Sequence, residues 1–169
     1  VMTLLAWDAF AAAGVDVIVL EVGLGGRLDA TNVVTPAVSV VTNVGIDHEA
    51  YLGSDLAGIA AEKAGIIKRR VPVVSGATGV AADVVAARAA ELASPLDVLD
   101  RDFTLTPAPD GGLVYRSARG EITELRVALA GEHQRANAAL AIRALERAPE
   151  LLPPVAEDRN SSVACRQRR

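Results

Sequence analysis

The chain is short of aromatic side chains, cysteine and lysine, and each shortage narrows what it can be. Trp, Tyr and Phe together make up 3% of 169 residues, so a core must be assembled from Ala, Val, Leu and Ile. A single cysteine, Cys165, excludes an internal disulfide and a cysteine-based zinc cluster and fits a reducing compartment. No apolar run approaches the roughly 18 residues that a membrane helix needs. No basic segment opens the chain either, so a soluble, cytoplasmic protein is expected. The net charge of −4 and a pI near 5.2 argue against a broad nucleic-acid surface. Arginine carries nearly all the positive charge, for Lys63 and Lys68 are the only lysines.

What is present is globular. Hydrophobic residues make up 51% and charged residues 22%, which argues against wholesale disorder and allows one well-cored domain. The pattern predicts a helix over 2–13, with Leu4, Leu5, Ala9 and Ala12 on one face and Gly14 as its stop. The β-branched run VDVIVL, 15–20, reads as a buried central strand, and AVSVVT, 37–42, as a second. Ser54 reads as the N-cap of a helix running to about Ala64, with Asp55 in its first turn. A strand over 71–75 and an Ala-rich amphipathic helix over 80–92 follow. This order predicts an α/β fold whose central, largely parallel sheet is flanked by helices.

Past Pro95 the texture changes. Segments 96–106, 113–117 and 122–129 read as strands of a small antiparallel subsheet, joined by turns at 107–112 and 119–120. A helix over 133–147 follows, with Ala138, Ala141, Ile142 and Leu145 expected on its packing face. From Pro149 the periodicity is lost, so 1–148 are assigned to the domain. Residues 149–169 are expected to form an irregular, non-native tail.

The chemistry concentrates in EVGLGGRLDATN, 21–32. Glu21 stands where the first predicted strand runs out, at the edge where open α/β sheets bind ligands. A dinucleotide fingerprint is excluded, because the third glycine position of Gly-x-Gly-x-x-Gly is Leu28 and no helical pattern follows before Pro36. A tight turn in which glycine supplies only positive φ is the plain alternative. His48 follows the second strand and Lys63 lies near the end of the next helix. A carboxylate and an imidazole at neighbouring strand ends can ligate a divalent metal, and Mg²⁺ bridging phosphates needs only one or two protein groups. Each residue has a plainer reading: His48 in a salt bridge with Asp47 or Glu49, Lys63 as a surface charge favoured by the helix dipole.

Four segments in order, EVGLGGRLDATN, TNVGIDHEAYLG, IAAEKAGIIK and GEHQRANAALAIRALE, closely resemble the folylpolyglutamate synthase and dihydrofolate synthase family of Mur-ligase-like, ATP-dependent amide ligases. The resemblance extends from Val1 to about Arg147. It implies a Mur-ligase central domain, of P-loop NTPase type, acting in folate biosynthesis and one-carbon metabolism. It also implies Mg²⁺ ligands at Glu21 and His48, and a carbamate on Lys63, making these three the catalytic residues. Arg27, Leu28, Asp29 and Ala30 match the loop contacting the pterin-bearing substrate, and Gln134 and Asn137 the helix that meets the nucleotide. ATP, a pterin or folate and L-glutamate would be the partners, with no nucleic acid or membrane and a monomeric parent enzyme.

One departure bears on activity. No Gly-x-x-x-x-Gly-Lys-[Ser/Thr] segment occurs in the chain, so it is expected to be an internal fragment, lacking the P-loop and the carboxy-terminal domain and inactive alone. Such a piece is also expected to expose a sheet edge and to aggregate. Two alternatives are another Mur-like ligase, of cell-wall or cyanophycin type, and a non-catalytic nucleotide-binding domain.

Overall fold

A computed structural model describes residues 2–45, 55–128 and 131–148. His48, with Asp47 and Glu49, lies outside these residues, as do Ser54, Leu129 and the expected tail.

The chain opens with α1 (Met2–Ala13), then a short 3₁₀ turn (Ala30–Val33) and β1 (Ser39–Val41). Next come α2 (Leu56–Ala64), β2 (Val73–Ser75), α3 (Gly79–Glu91) and β3 (Leu96–Val98). These three strands form a parallel sheet in the order β1-β2-β3. An antiparallel meander follows, made of β4 (Phe103–Pro107), β5 (Leu113–Ser117) and β6 (Gly120–Leu125), and α4 (Glu132–Arg147) closes the order.

β2 is the centre of the molecule, and all three of its residues are buried. Side chains alternate along a strand, so Val73 and its neighbour Val74 feed different cores. Val73 packs with Ala60, Ala64 and Ile67 from the α2 side and with Ala81, Val85 and Ala89 of α3. Val74 packs with Phe103, Tyr115, Ala139 and Leu140, between the meander and α4. Small residues spaced four apart, Ala60 and Ala64 on α2 and Ala81, Val85 and Ala89 on α3, bring the two helices together, while Phe103 and Tyr115 supply the bulk of the second core. Few aromatics suffice because these two stand at its centre.

Asp55, rather than Ser54, caps α2. Its carboxylate accepts the Ala57 and Gly58 amides at 3.1 Å each, which are the two donors that an N-cap satisfies.

The first expected strand does not form. Residues 15–20 make no ladder among the described residues, and Val19 is 91% exposed. A strand is held by a paired neighbour, and β1 pairs only with β2. Helix α1 keeps its expected bounds but buries no residue, leaving Leu4 74% and Leu5 58% exposed. The expected strand over 96–106 is two. Leu96–Val98 joins the parallel sheet, and a turn closed by Asp102, which accepts the Val98 amide at 2.7 Å, sends the chain into β4. Finally, the packing face of α4 is rotated. Ala139, Leu140 and Arg143 are buried, Ala138 and Ile142 are half-buried, and Ala141 and Leu145 are exposed. The cause is Asp97, which lies opposite Val74 in the parallel ladder and so points to the α4 face, where it draws Arg143 inward.

Candidate active site

Loop 23–33 is built by Asp29. One carboxylate oxygen accepts the Gly23 and Leu24 amides at 3.0 and 3.2 Å, and the other accepts the Thr31 amide and hydroxyl at 2.8 and 2.6 Å. The Thr31 hydroxyl, then its amide, hold the Asp29 carboxyl below its usual range against the small upward push of burial. Gly25 adopts φ 68°, which suits glycine. The result is a compact loop whose shape is set internally.

The loop then docks on the last turn of α2, backbone against backbone. The Arg27 amide donates to the Glu62 carbonyl at 2.9 Å. The Arg27 guanidinium reaches Glu62 Oε1 through Nε at 2.9 Å and through Nη2 at 2.8 Å. Asn32 Nδ2 donates to the Arg27 and Gly65 carbonyls at 2.9 and 3.2 Å, and Lys68 Nζ to the Asn32 carbonyl at 2.9 Å. Two glycines make this approach possible. A Cβ on Gly26 would stand 2.6 Å from the Glu62 carbonyl oxygen and 3.1 Å from the Lys63 Cα, and one on Gly65 would stand 2.7 Å from the Arg27 Cα.

The structure thus brings Lys63 beside the Arg27–Ala30 segment. Lys63 is half-buried in the last turn of α2 and makes no salt bridge among the described residues. An open cleft of about 660 Å³, lined by Leu24, Gly25, Leu28, Asp29, Ala30, Gly58 and Glu62, lies between loop and helix. That volume falls within the range of roughly 300–1,000 Å³ common for small-molecule sites. Leu28 is 80% exposed at the edge of this cleft. Glu21 is exposed ahead of the loop. No group of three or more acidic, His or Cys side chains arranged for a metal occurs among the described residues.

Gln134 and Asn137 stand elsewhere, near the start of α4, the first half-buried and the second exposed, with Asn137 Nδ2 donating to Gln134 Oε1 at 3.4 Å. His133 is exposed, its ring against Gly131. Two residues that fasten the loop carry no signal of it in the sequence: Glu62 on α2 and Asn32 in the loop itself. Their partners lie some 33 to 35 positions away in the chain, and no local pattern reveals such a pairing.

A three-stranded parallel sheet with a glycine-rich loop seated on the helix after its first strand defines an α/β domain with an open cleft beside that loop. The chain belongs to the Mur ligase middle domain family, whose model matches residues 3–145. It is 45% identical over 147 residues to the folylpolyglutamate synthase of Lacticaseibacillus casei, covering 84% of this chain and 34% of that protein. It is 40% identical over 157 residues to the dihydrofolate synthase/folylpolyglutamate synthase of Mycobacterium tuberculosis, covering 86% and 32%. The apo form of the L. casei synthase superposes with a TM-score of 0.84 at 42% identity, covering 89% of this chain and 38% of that one. A folylpolyglutamate synthase complex with AMPPCP and folate gives the same values. The chain therefore spans about a third of the length of the curated relatives it matches. No helix among the described residues is long and apolar enough to cross a membrane.

Proposed function

We propose that this chain is part of the central, ATP-binding domain of a ligase that adds L-glutamate to dihydropteroate or folate, residues 1–148 forming the domain portion. The observation that carries the proposal is the docking of loop 23–33 on the turn that bears Lys63, in a family whose members include enzymes of that name. In the proposed reaction ATP phosphorylates a substrate carboxylate, and the amine of glutamate attacks the acyl phosphate and releases phosphate. Both steps build charge on phosphoryl oxygens, so alignment and electrostatic stabilisation supply the acceleration.

The roles are those that the family resemblance implies, and the side-chain chemistry is compatible with them. Arg27, Leu28, Asp29 and Ala30 line or shape the cleft and would hold the pterin-bearing substrate. Asp29, with both oxygens engaged within the loop, would contribute shape rather than a free carboxylate. Gln134 and Asn137 would meet the nucleotide. Lys63 as a carbamate would present an anion where a free ammonium presents a cation, and Glu62 beside it is committed to Arg27. The exposed Glu21 carboxylate has no hydrogen-bond partner among the described residues and is a hard oxygen donor, which fits Mg²⁺. Glu21 and His48 would hold that ion. When bound it would neutralise phosphoryl charge.

The test is glutamate-dependent ADP release by the complete gene product, with dihydropteroate, folate or a UDP-muramyl peptide as acceptor. Turnover with a pterin acceptor, lowered about 100-fold by Lys63→Ala, is the expected result. Turnover only with the muramyl peptide, or full activity in Lys63→Ala, would overturn the reading.

A further inference from the structure

We infer that Glu62 is a positioning residue, one that locks the substrate loop to the helical turn carrying Lys63 so that the two are placed as one body. This rests on the reading of that loop and Lys63 as parts of one ligase site.

The geometry is specific to Glu62. Its backbone carbonyl receives the Arg27 amide and its carboxylate receives the Arg27 guanidinium, so one residue grips another at both main chain and side chain. The next peptide unit belongs to Lys63. Gly26 lies against the Glu62 carbonyl and the Lys63 Cα so closely that no Cβ fits. A shift of the loop is therefore transmitted to the backbone of Lys63 without a compliant side chain between them. Glu62 also lines the cleft, opposite Leu28 and Ala30, so the residue that fixes the loop also borders the space its ligand would fill. Asn32 and Lys68 fasten the far end of the loop to the chain just past α2, leaving Glu62 as the tie nearest Lys63.

Two measurements test this. The 169-residue chain offers trypsin the bonds after Arg27 and after the exposed Arg119 in the β5–β6 turn. Glu62→Ala is expected to raise cleavage at Arg27 relative to Arg119 about threefold, as fits the loss of one partly exposed ion pair. Glu62→Gln, which keeps an acceptor oxygen, should recover most of the protection. In the complete gene product, Glu62→Ala is expected to raise the KM of the pterin-bearing substrate about fivefold while the KM of ATP stays level. An unchanged cleavage ratio would overturn the clamp, and raised cleavage with an unchanged ratio of the two KM values would overturn the positioning role. A wild-type gene product with no ligase activity would instead remove the functional reading, taking the positioning role with it. That outcome is separable, because a failure confined to Glu62 leaves wild-type turnover intact.

Discussion

Arg143 and Asp97 form a salt bridge at 2.8 Å in which both side chains are almost completely buried. It is the centre of a larger network. Asp97 also accepts from Arg147, while Arg143, Tyr115 and Ser117 all donate to Glu146. The network joins β3, β5 and α4, so it connects the parallel sheet to the meander. Removing one partner from a buried pair strands the other charge, which costs more than the pair contributes. Asp97→Asn is accordingly expected to destabilise the chain by about 3 kcal/mol, measured by urea unfolding. A loss below about 1 kcal/mol, the scale of an exposed pair, would show that the network does not bear on stability.

Acid should weaken the fold through the same carboxylates. Burial pushes Asp97 up, but hydrogen bonds from Arg147 and Arg143 outweigh it and hold the carboxyl below its usual range. Burial likewise raises Glu146, and Arg143, Tyr115 and Ser117 bring it down further. A carboxyl depressed in the folded state contributes stability that is present above its unfolded pKa and is lost as pH falls through its folded pKa. The urea midpoint should therefore decline once the pH drops below the ordinary carboxylate range. Glu146→Gln should lower the midpoint at neutral pH and flatten its acid dependence. An equally steep decline in that variant would assign the acid sensitivity elsewhere.

Gly26→Ala should push the loop off α2. The new Cβ meets main-chain atoms, the Glu62 carbonyl oxygen and the Lys63 Cα, which cannot rotate away. A cost of about 2 kcal/mol is expected, as for an overpacked core position. Trypsin should also cleave faster after Arg27. A variant as stable as the parent would mean that the loop and helix yield at no cost.

The exposed side of α1 makes the opposite prediction. Leu4→Glu should change stability by less than about 0.5 kcal/mol, because Leu4 lies 74% exposed. A larger loss in urea unfolding would show that α1 packs more tightly than its exposure indicates.

Elements announced by their own periodicity are legible in the sequence, whereas what each of them pairs or packs with is not. The Ala-rich helix over 80–92 forms as Gly79–Glu91, and the strands over 37–42 and 71–75 form as shorter cores of those runs. The apolar run at 15–20 had every intrinsic preference of a strand, yet a strand also requires a neighbour, and propensity does not encode one. The face of α4 differs from the one its apolar residues predict, because Arg143 is buried to meet Asp97, 46 positions earlier. The glycine-rich motif at 21–32 is visible as a motif. Its attachment to Glu62 is not, because that depends on which carbonyl a glycine can approach.

The two-sided burial of β2 also bears on strand register. With Val73 facing one core and Val74 the other, a slip that advanced both by one place would still bury a valine on each side, so hydrophobic pattern alone discriminates poorly against it. The discrimination falls to the residue just past the strand. Gly76 donates its amide to the Val41 carbonyl at 2.9 Å, and any Cβ there would collide with the Thr42 carbonyl oxygen. Sliding the strand by one position would carry Ser75 or Ala77 into a place that admits no side chain. An error in alignment is thus rejected by steric exclusion at a single position, and two valines can follow one another in the central strand without making its register ambiguous.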